Sequence, residues 1–313
     1  MANLSAFFDE VKEKEKILFI DGHNLFYRLL YVSWNEYKVK HQDFIFGNIS
    51  ADFTIDDMYL YWKHLVLNSF FSLITKFNPE RILFCCDSRH NWRKDVYDDY
   101  KGNRQKKRDD SEVDYEEFFK RLDEFILEAK ELFSTVYFLK INNCETDDTI
   151  AVLAKKFSNN IAKEIIIVSS DKDFLQLQKY KNIKQYDGNQ KKFISCLNPE
   201  NELEIKILTG DKGDNIPAVR PRVGPVTASK LLNEGLDTIL KDPLIAANYI
   251  RNKKLISFEE IPDDIINIID TAFLEYELKP LNGLKILSYF LNNKLNKLQD
   301  ELQIYLPFIK KLK

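Results

Sequence analysis

The residues in this sequence best equipped for chemistry are carboxylates, and they fall directly after apolar runs. Asp21 follows KILFI (Lys16–Ile20), Asp87 follows RILFCC (Arg81–Cys86), and Asp171 and Asp173 follow EIIIV (Glu164–Val168) after two serines. VYFLKI (Val136–Ile141) leads through Asn142, Asn143 and Cys144 into Glu145, Asp147 and Asp148, and LTGDKGDN adds Asp211 and Asp214. A single aspartate after a strand is ordinarily a helix N-cap. Four strands ending this way crowd many acids together, and each raises its neighbours' pKa unless a cation neutralises them. Hard oxygen ligands in this number suit Mg²⁺, with Mn²⁺ as a substitute, and the missing Cys/His set argues against zinc. Two such ions about 4 Å apart can activate a water and stabilise the leaving oxygen of a phosphodiester.

A second feature is positive. Eight Lys and Arg stand against three Asp between Arg89 and Arg108 in a chain whose net charge is −3. A solvated helix face would mix its signs. Trp92, Tyr97 and Tyr100 interleave with these charges, as a single-strand groove requires for base stacking beside phosphate contacts. His23, two residues after Asp21, reads as a partner in a helix-start hydrogen bond before it reads as a substrate contact.

These groups need a frame that brings them together. The four apolar runs read as buried parallel strands. Met58–Phe77, Val113–Phe133 and Asp148–Phe157 carry apolar residues at helical spacing. The alternation predicts an α/β protein with a mostly parallel central sheet flanked by helices, whose strand ends form one ligand-binding rim. Lys184–Phe193 reads as a hairpin around Asp187 and Gly188, and helical patterns dominate from Asn198. The expected division is an α/β domain over 1–197, with a basic arch at about 88–112, and a helical region over 198–313. Trp34–Asp52 reads as an insertion or loop near the rim.

Composition bounds the rest. The net charge excludes an evenly basic surface and leaves local patches open. The four cysteines have no C-x-x-C spacing, and adjacent Cys85 and Cys86 read as small core residues in a reducing, cytoplasmic setting. No apolar run approaches the roughly 18 residues of a membrane span, and MANLSAFFDEVKEKEK has no signal-peptide core.

IDGHNLFYR (Ile20–Arg28), the Asp87 segment, C-E-T-D-D, SSDKDFLQL and GDKGDNIP together resemble the flap endonuclease/5′-nuclease superfamily. That superfamily includes the amino-terminal nuclease domain of bacterial DNA polymerase I and phage 5′-exonucleases. The likeness runs in order from about residue 16 to 235. It is strongest toward the ribonuclease H branch of T-even-type phages, through YDDYKGNR, FEEIPDDI (Phe258–Ile265) and LKILSYF (Leu284–Phe290). The resemblance implies a PIN-like 5′-nuclease fold and a Mg²⁺-dependent 5′-3′ exonuclease or flap endonuclease that removes RNA primers and flaps during replication. It implies metal ligands at Asp21, Asp87, Glu145, Asp147, Asp171, Asp173 and Asp214, with Asp211 as an extra ligand or a water-mediated contact. Asp148 matches an acid of the bacterial and phage branch. Asp21, Asp87 and Glu145 would lie nearer the reactive phosphate, and Asp173, Asp211 and Asp214 nearer a second ion. Lys101 and Arg104 would grip the scissile phosphate, Tyr100 would stack on the terminal base, and Arg93, Lys94, Lys106 and Lys107 would line the DNA path.

The family's duplex-binding element, a helix-hairpin-helix, is altered in this chain (about 202–235). NIPAVRPRVGPVTASKLL keeps Gly224, Pro225 and Thr227 but lacks the first two glycines, and Ala218 stands in one of their places. The hairpin must then follow another path, with Arg220 and Arg222 offered to phosphates beside Gly224 and Thr227. Implied partners are DNA and RNA·DNA duplexes with 5′ ends, flaps or forks, and also a replication single-strand-binding protein and a sliding clamp, met by a monomer. A PIN-type ribonuclease would share the acid rim without the arch and hairpin. A catalytically inactive, structure-specific DNA-binding protein would lack part of the ligand set.

Overall fold

The computed structural model describes residues 14–48 and 51–312. Most of the stretch read as lacking a secretory core therefore lies outside the described residues, as do residues 49 and 50 of the expected insertion.

Strand β1 (Glu15–Asp21) leads into helix α1 (Gly22–Ile45), then α2 (Ile55–Phe77) and β2 (Arg81–Cys86). Two short helices, α3 (Arg93–Val96) and α4 (Asn103–Asp109), precede α5 (Tyr115–Leu132), β3 (Tyr137–Lys140), α6 (Thr146–Ser158) and β4 (Lys163–Val168). A 3₁₀ turn over Lys172–Lys179 is followed by β5 (Ile183–Asp187) and β6 (Lys192–Ile194). The remainder is helical: α7 (Pro199–Thr209), α8 (Pro225–Glu234), α9 (Leu236–Ile239), α10 (Pro243–Ile256), α11 (Asp263–Leu274), α12 (Gly283–Asn292), α13 (Asn296–Asp300) and α14 (Leu302–Lys310).

The sheet order is β3-β2-β1-β4-β5-β6, parallel except for β6, which pairs with β5 as the expected hairpin. Strands β1, β2 and β4 are apolar on both faces because helices cover both, as a parallel sheet requires. One face is a phenylalanine-rich core in which Trp62 and Phe26 are nearly fully buried. The other packs Ile150, Leu153 and Phe157 of α6 against Phe19 and Ile167. Each such side chain contributes roughly 1.5–3 kcal/mol on burial.

Helix α2 starts with a full capping box, Thr54 with Asp57, and ends at Asn78 in a left-handed C-cap (φ 48°). Gly22 is required where α1 begins. A Cβ there would stand 2.6 Å from the Cys85 carbonyl, so a larger residue would push Asp21 off the rim.

One expectation needs correction. The stretch 34–52 is not a loop but largely the second half of α1, where Trp34 and Tyr37 pack against the core and Val39, Ile45 and Phe46 are exposed. The helices after residue 198 pack in three places. Helices α7 to α10 build their own core, whereas α11 closes the α6 face and α12 to α14 cover α2, with the Tyr305 and Phe71 rings stacked at 4.3 Å. Cys85, Cys86 and Cys144 are free and buried, as small core residues. Among the described residues no helix is long and apolar enough to cross a membrane.

Candidate functional site

The carboxyl ends of the central strands put their acids on one rim. Asp21 caps α1 through the Asn24 N–H (3.0 Å) and accepts from the Ser169 hydroxyl at 2.7 Å, which joins the ends of β1 and β4. Asp87, just after β2, accepts from the Thr146 N–H at the start of α6 (2.8 Å). Glu145 is the N-cap of α6, and Asp147 lies in its first turn. Asp171 caps the 3₁₀ turn through the Asp173 N–H. The N-cap function and the rim position coincide, because a helix that starts where a parallel strand ends shares its first turn with the rim.

The crowding is visible in the electrostatics. Burial first, then the charges of Asp87 and Asp171, push Asp21 up to about 7. Burial, with Asp171 and Asp21, pushes Asp147 well above the usual carboxylate range. Burial pushes Asp173 up to about 6 against the pull of Lys206, with Asp171 adding to the rise. Burial would raise Asp87 too, but His23, Lys101 and the Thr146 N–H outweigh it and hold this acid low.

Protein cations meet the acids from the opposite side. Lys101 Nζ lies 2.5 Å from Glu145 and 3.9 Å from Asp214, and Arg104 donates to Asp214 at 2.7 Å. Lys206 of α7 bridges Asp173 and Asp211, at 2.8 Å from the latter. Nothing in the sequence singled out Lys206, since a lysine inside a helical pattern looks like any solvated one. As the side chains stand, no three Asp, Glu, His or Cys among the described residues are drawn around one point. Glu145, Asp214, Asp173 and Asp211 are instead held by these three cations, while Asp21 and Asp87 rest on hydroxyl and backbone donors.

Four expected site residues turn out otherwise. Asp148 is fully buried and takes a bidentate pair from Arg93 (2.7 and 3.0 Å), the Trp92 indole N–H and the Glu145 N–H, so it points into the core and not at the rim. Arg93 is 2% exposed and spends its donors on Asp148, Glu145 and the Leu255 carbonyl, so it cannot line a DNA path. Tyr100 is 3% exposed, with its hydroxyl on Glu145 and Asp214, so its ring has no face for a base. Trp92 is buried as well. Lys94, Lys106 and Lys107 are exposed. His23 accepts from the Asp87 N–H at 2.9 Å, a hydrogen bond that ties the start of α1 to the end of β2 and not to its own helix.

In the altered hairpin between α7 and α8, Arg220 and Arg222 are exposed, and the left-handed backbone falls at Arg222 (φ 64°) and not at Ala218. Gly224 is the N-cap of α8, and the space around it is open. Thr227 is half-buried in the first turn of α8.

The family model described as 5′-3′ exonuclease, N-terminal resolvase-like domain matches residues 16–207. This chain belongs to the 5′-3′ exonuclease family. It is a 5′-nuclease, and a second family model, T4 RNase H, C terminal, matches residues 198–305. Ribonuclease H of Enterobacteria phage T4 is 34% identical over 268 residues, covering 77% of this chain and 85% of that protein. A 5′-3′ exonuclease of Mycoplasmopsis pulmonis is 30% identical over 249 residues, covering 76% and 73%. Among solved structures, the T5 5′-exonuclease with bound divalent zinc superposes with a TM-score of 0.62 at 18% identity, over 84% of this chain and all of that one. That last likeness speaks for the fold. Family membership removes the PIN-type ribonuclease and the inactive binding protein as alternatives, and the first family model spans every strand-end acid of this 5′-nuclease.

Proposed function

We propose that the rim hydrolyses a phosphodiester at or near the 5′ end of one strand of an RNA·DNA or DNA·DNA duplex. In this reading Asp21, Asp87, Glu145, Asp147, Asp171, Asp173, Asp211 and Asp214 share two divalent cations, Mg²⁺ by preference with Mn²⁺ as a substitute. The observation that carries it is the meeting of Glu145, Lys101 and Asp214 from three separate parts of the chain, within 3.9 Å of one ammonium group. The donor set fits such ions: all its members are hard oxygens, and Asp21, Asp147 and Asp173 are raised first by burial and then by their carboxylate neighbours, so a bound cation would offset both. When bound, the ions supply Lewis acidity and an acidified water for in-line attack.

The chain's own part is positioning. Lys101 and Arg104 exchange their carboxylate partners for the scissile phosphate, where positive charge offsets what develops in the transition state. Exposed Lys94, Lys106 and Lys107 follow the single strand, while Arg220, Arg222, Gly224 and Thr227 hold duplex phosphates. In this reading residues 1–197 supply most of the acid rim, and the helical region over 198–313 adds Asp211 and Asp214 together with the duplex grip. Labelled 5′-flap, nicked and RNA-primed duplexes, incubated with Mg²⁺ or with EDTA, test this. Cleavage that persists in EDTA would exclude the metal reading, and equal cleavage of a covalently closed circular duplex, which has no 5′ end, would exclude the substrate.

A further inference from the structure

The loop that carries Asp211 and Asp214 is held to the basic segment by more than ion pairs. The Lys101 N–H donates to the Asp214 carbonyl at 2.8 Å, and in return the Asn215 carboxamide donates to the Asp99 carbonyl at 2.9 Å. That same Asp99 carbonyl accepts from the Gly102 N–H at 2.9 Å, which closes the turn around Lys101. One step outward, the Asn103 carboxamide donates to the Lys212 carbonyl at 3.1 Å. Lys101 (φ 57°) and Asn215 (φ 61°), facing each other across this clasp, both adopt the left-handed backbone. Asparagine enters that region readily and lysine does not, so Lys101 depends on its neighbours to stay there. The reach of its ammonium to Glu145 depends on the same backbone.

We infer that Asn215 is a positioning residue for cleavage. By fixing the Asp99 carbonyl it holds the 99–102 turn in the one conformation that aims Lys101 at the acid rim. The inference rests on the reading of Lys101 as the group that grips the scissile phosphate. It also links that group to the duplex. Ile216, next to Asn215, exchanges two backbone hydrogen bonds with Asp211, and the hairpin beyond is pinned by the Val219 N–H on the Leu208 carbonyl. A duplex seated on the hairpin is therefore held in register with Lys101 through a single short loop.

A double-mutant cycle tests this by single-turnover cleavage of a 5′-flap duplex in saturating Mg²⁺, with duplex affinity measured in Ca²⁺. Asn215→Gly keeps the left-handed backbone and removes only the amide. It should slow cleavage about tenfold while the duplex dissociation constant stays within about twofold, and in a Lys101→Ala background it should add almost nothing. Hydrogen exchange of the Lys101 amide should become faster in Asn215→Gly, with unfolding still cooperative and the melting temperature lowered by only a few degrees. Equal slowing in both backgrounds, a wild-type rate in Asn215→Gly, or unchanged protection of that amide would overturn the inference. A slow Lys101→Ala beside a normal Asn215→Gly sinks the clasp alone. A wild-type rate in Lys101→Ala sinks the reading of Lys101, and the role of Asn215 with it.

Discussion

Asp148 and Asp147 are neighbours in sequence with opposite assignments, and replacing Asp148 with alanine separates the two roles. Arg93 and Asp148 have side chains 3% and 0% exposed. Removing the carboxylate leaves a buried guanidinium with Glu145 at 3.2 Å as its remaining acid. Breaking a buried pair from one side costs about 3–5 kcal/mol. The Trp92 indole N–H and the Glu145 N–H also lose their acceptor, each a loss of about 1–3 kcal/mol taken alone. These losses share one site and do not add, so about 3–5 kcal/mol is the expected total, a large part of a typical domain's 5–15 kcal/mol. Urea unfolding of the metal-free protein reads this directly. The rise in melting temperature on adding Mg²⁺ should persist, because a residue facing the core contributes nothing to the ions. A destabilisation below about 1 kcal/mol, together with loss of the Mg²⁺-induced rise, would refute the reasoning and return Asp148 to the ligand set.

Asp171→Asn combined with Asp173→Asn should abolish cleavage and leave the metal-free fold as stable as wild type or more so; Mg²⁺-dependent turnover by this variant would exclude both as ligands. For Asp21, a rise from 3.8 to about 7 corresponds to about 4 kcal/mol. The folded state binds this proton more tightly than the unfolded one, so the stabilisation is complete below pH 3.8 and lost as pH climbs to about 7. Metal-free wild type should lose stability across that window, and Asp21→Asn should flatten the loss in denaturant melts taken at each pH; an unchanged slope would show that Asp21 does not titrate there. Replacing Arg220 and Arg222 with alanine should flatten the slope of log K against log[salt] for duplex binding by about two, at roughly 0.9 for each phosphate neutralised. An unchanged slope would mean that these side chains face solvent.

The sequence by itself determined the frame of the site. Runs such as RILFCC and EIIIV are apolar after their first residue and too short for a helix, so they read as strands buried on both sides, and an acid placed after each emerges at the strand ends. That logic singled out Asp21, Asp87, Asp147 and Asp171, and the LTGDKGDN segment added Asp211 and Asp214. Only the tertiary structure decided which polar groups at those ends turn toward the rim and which turn inward. Successive residues on a helix point about 100° apart, so Asp147 faces the other acids while Asp148 faces Arg93. The same reason divides Arg93 from Lys94, one drawn into the core by Asp148 and Leu255 and one left in water. Tyr100 read as an exposed stacking ring because aromatics beside basic residues often are, yet the core built by α7 to α10 closes over it. Lys206 reached the site from another helix altogether. Composition and periodicity fix what a segment must bury, whereas the direction of a single side chain is chosen by whichever neighbour the fold brings against it.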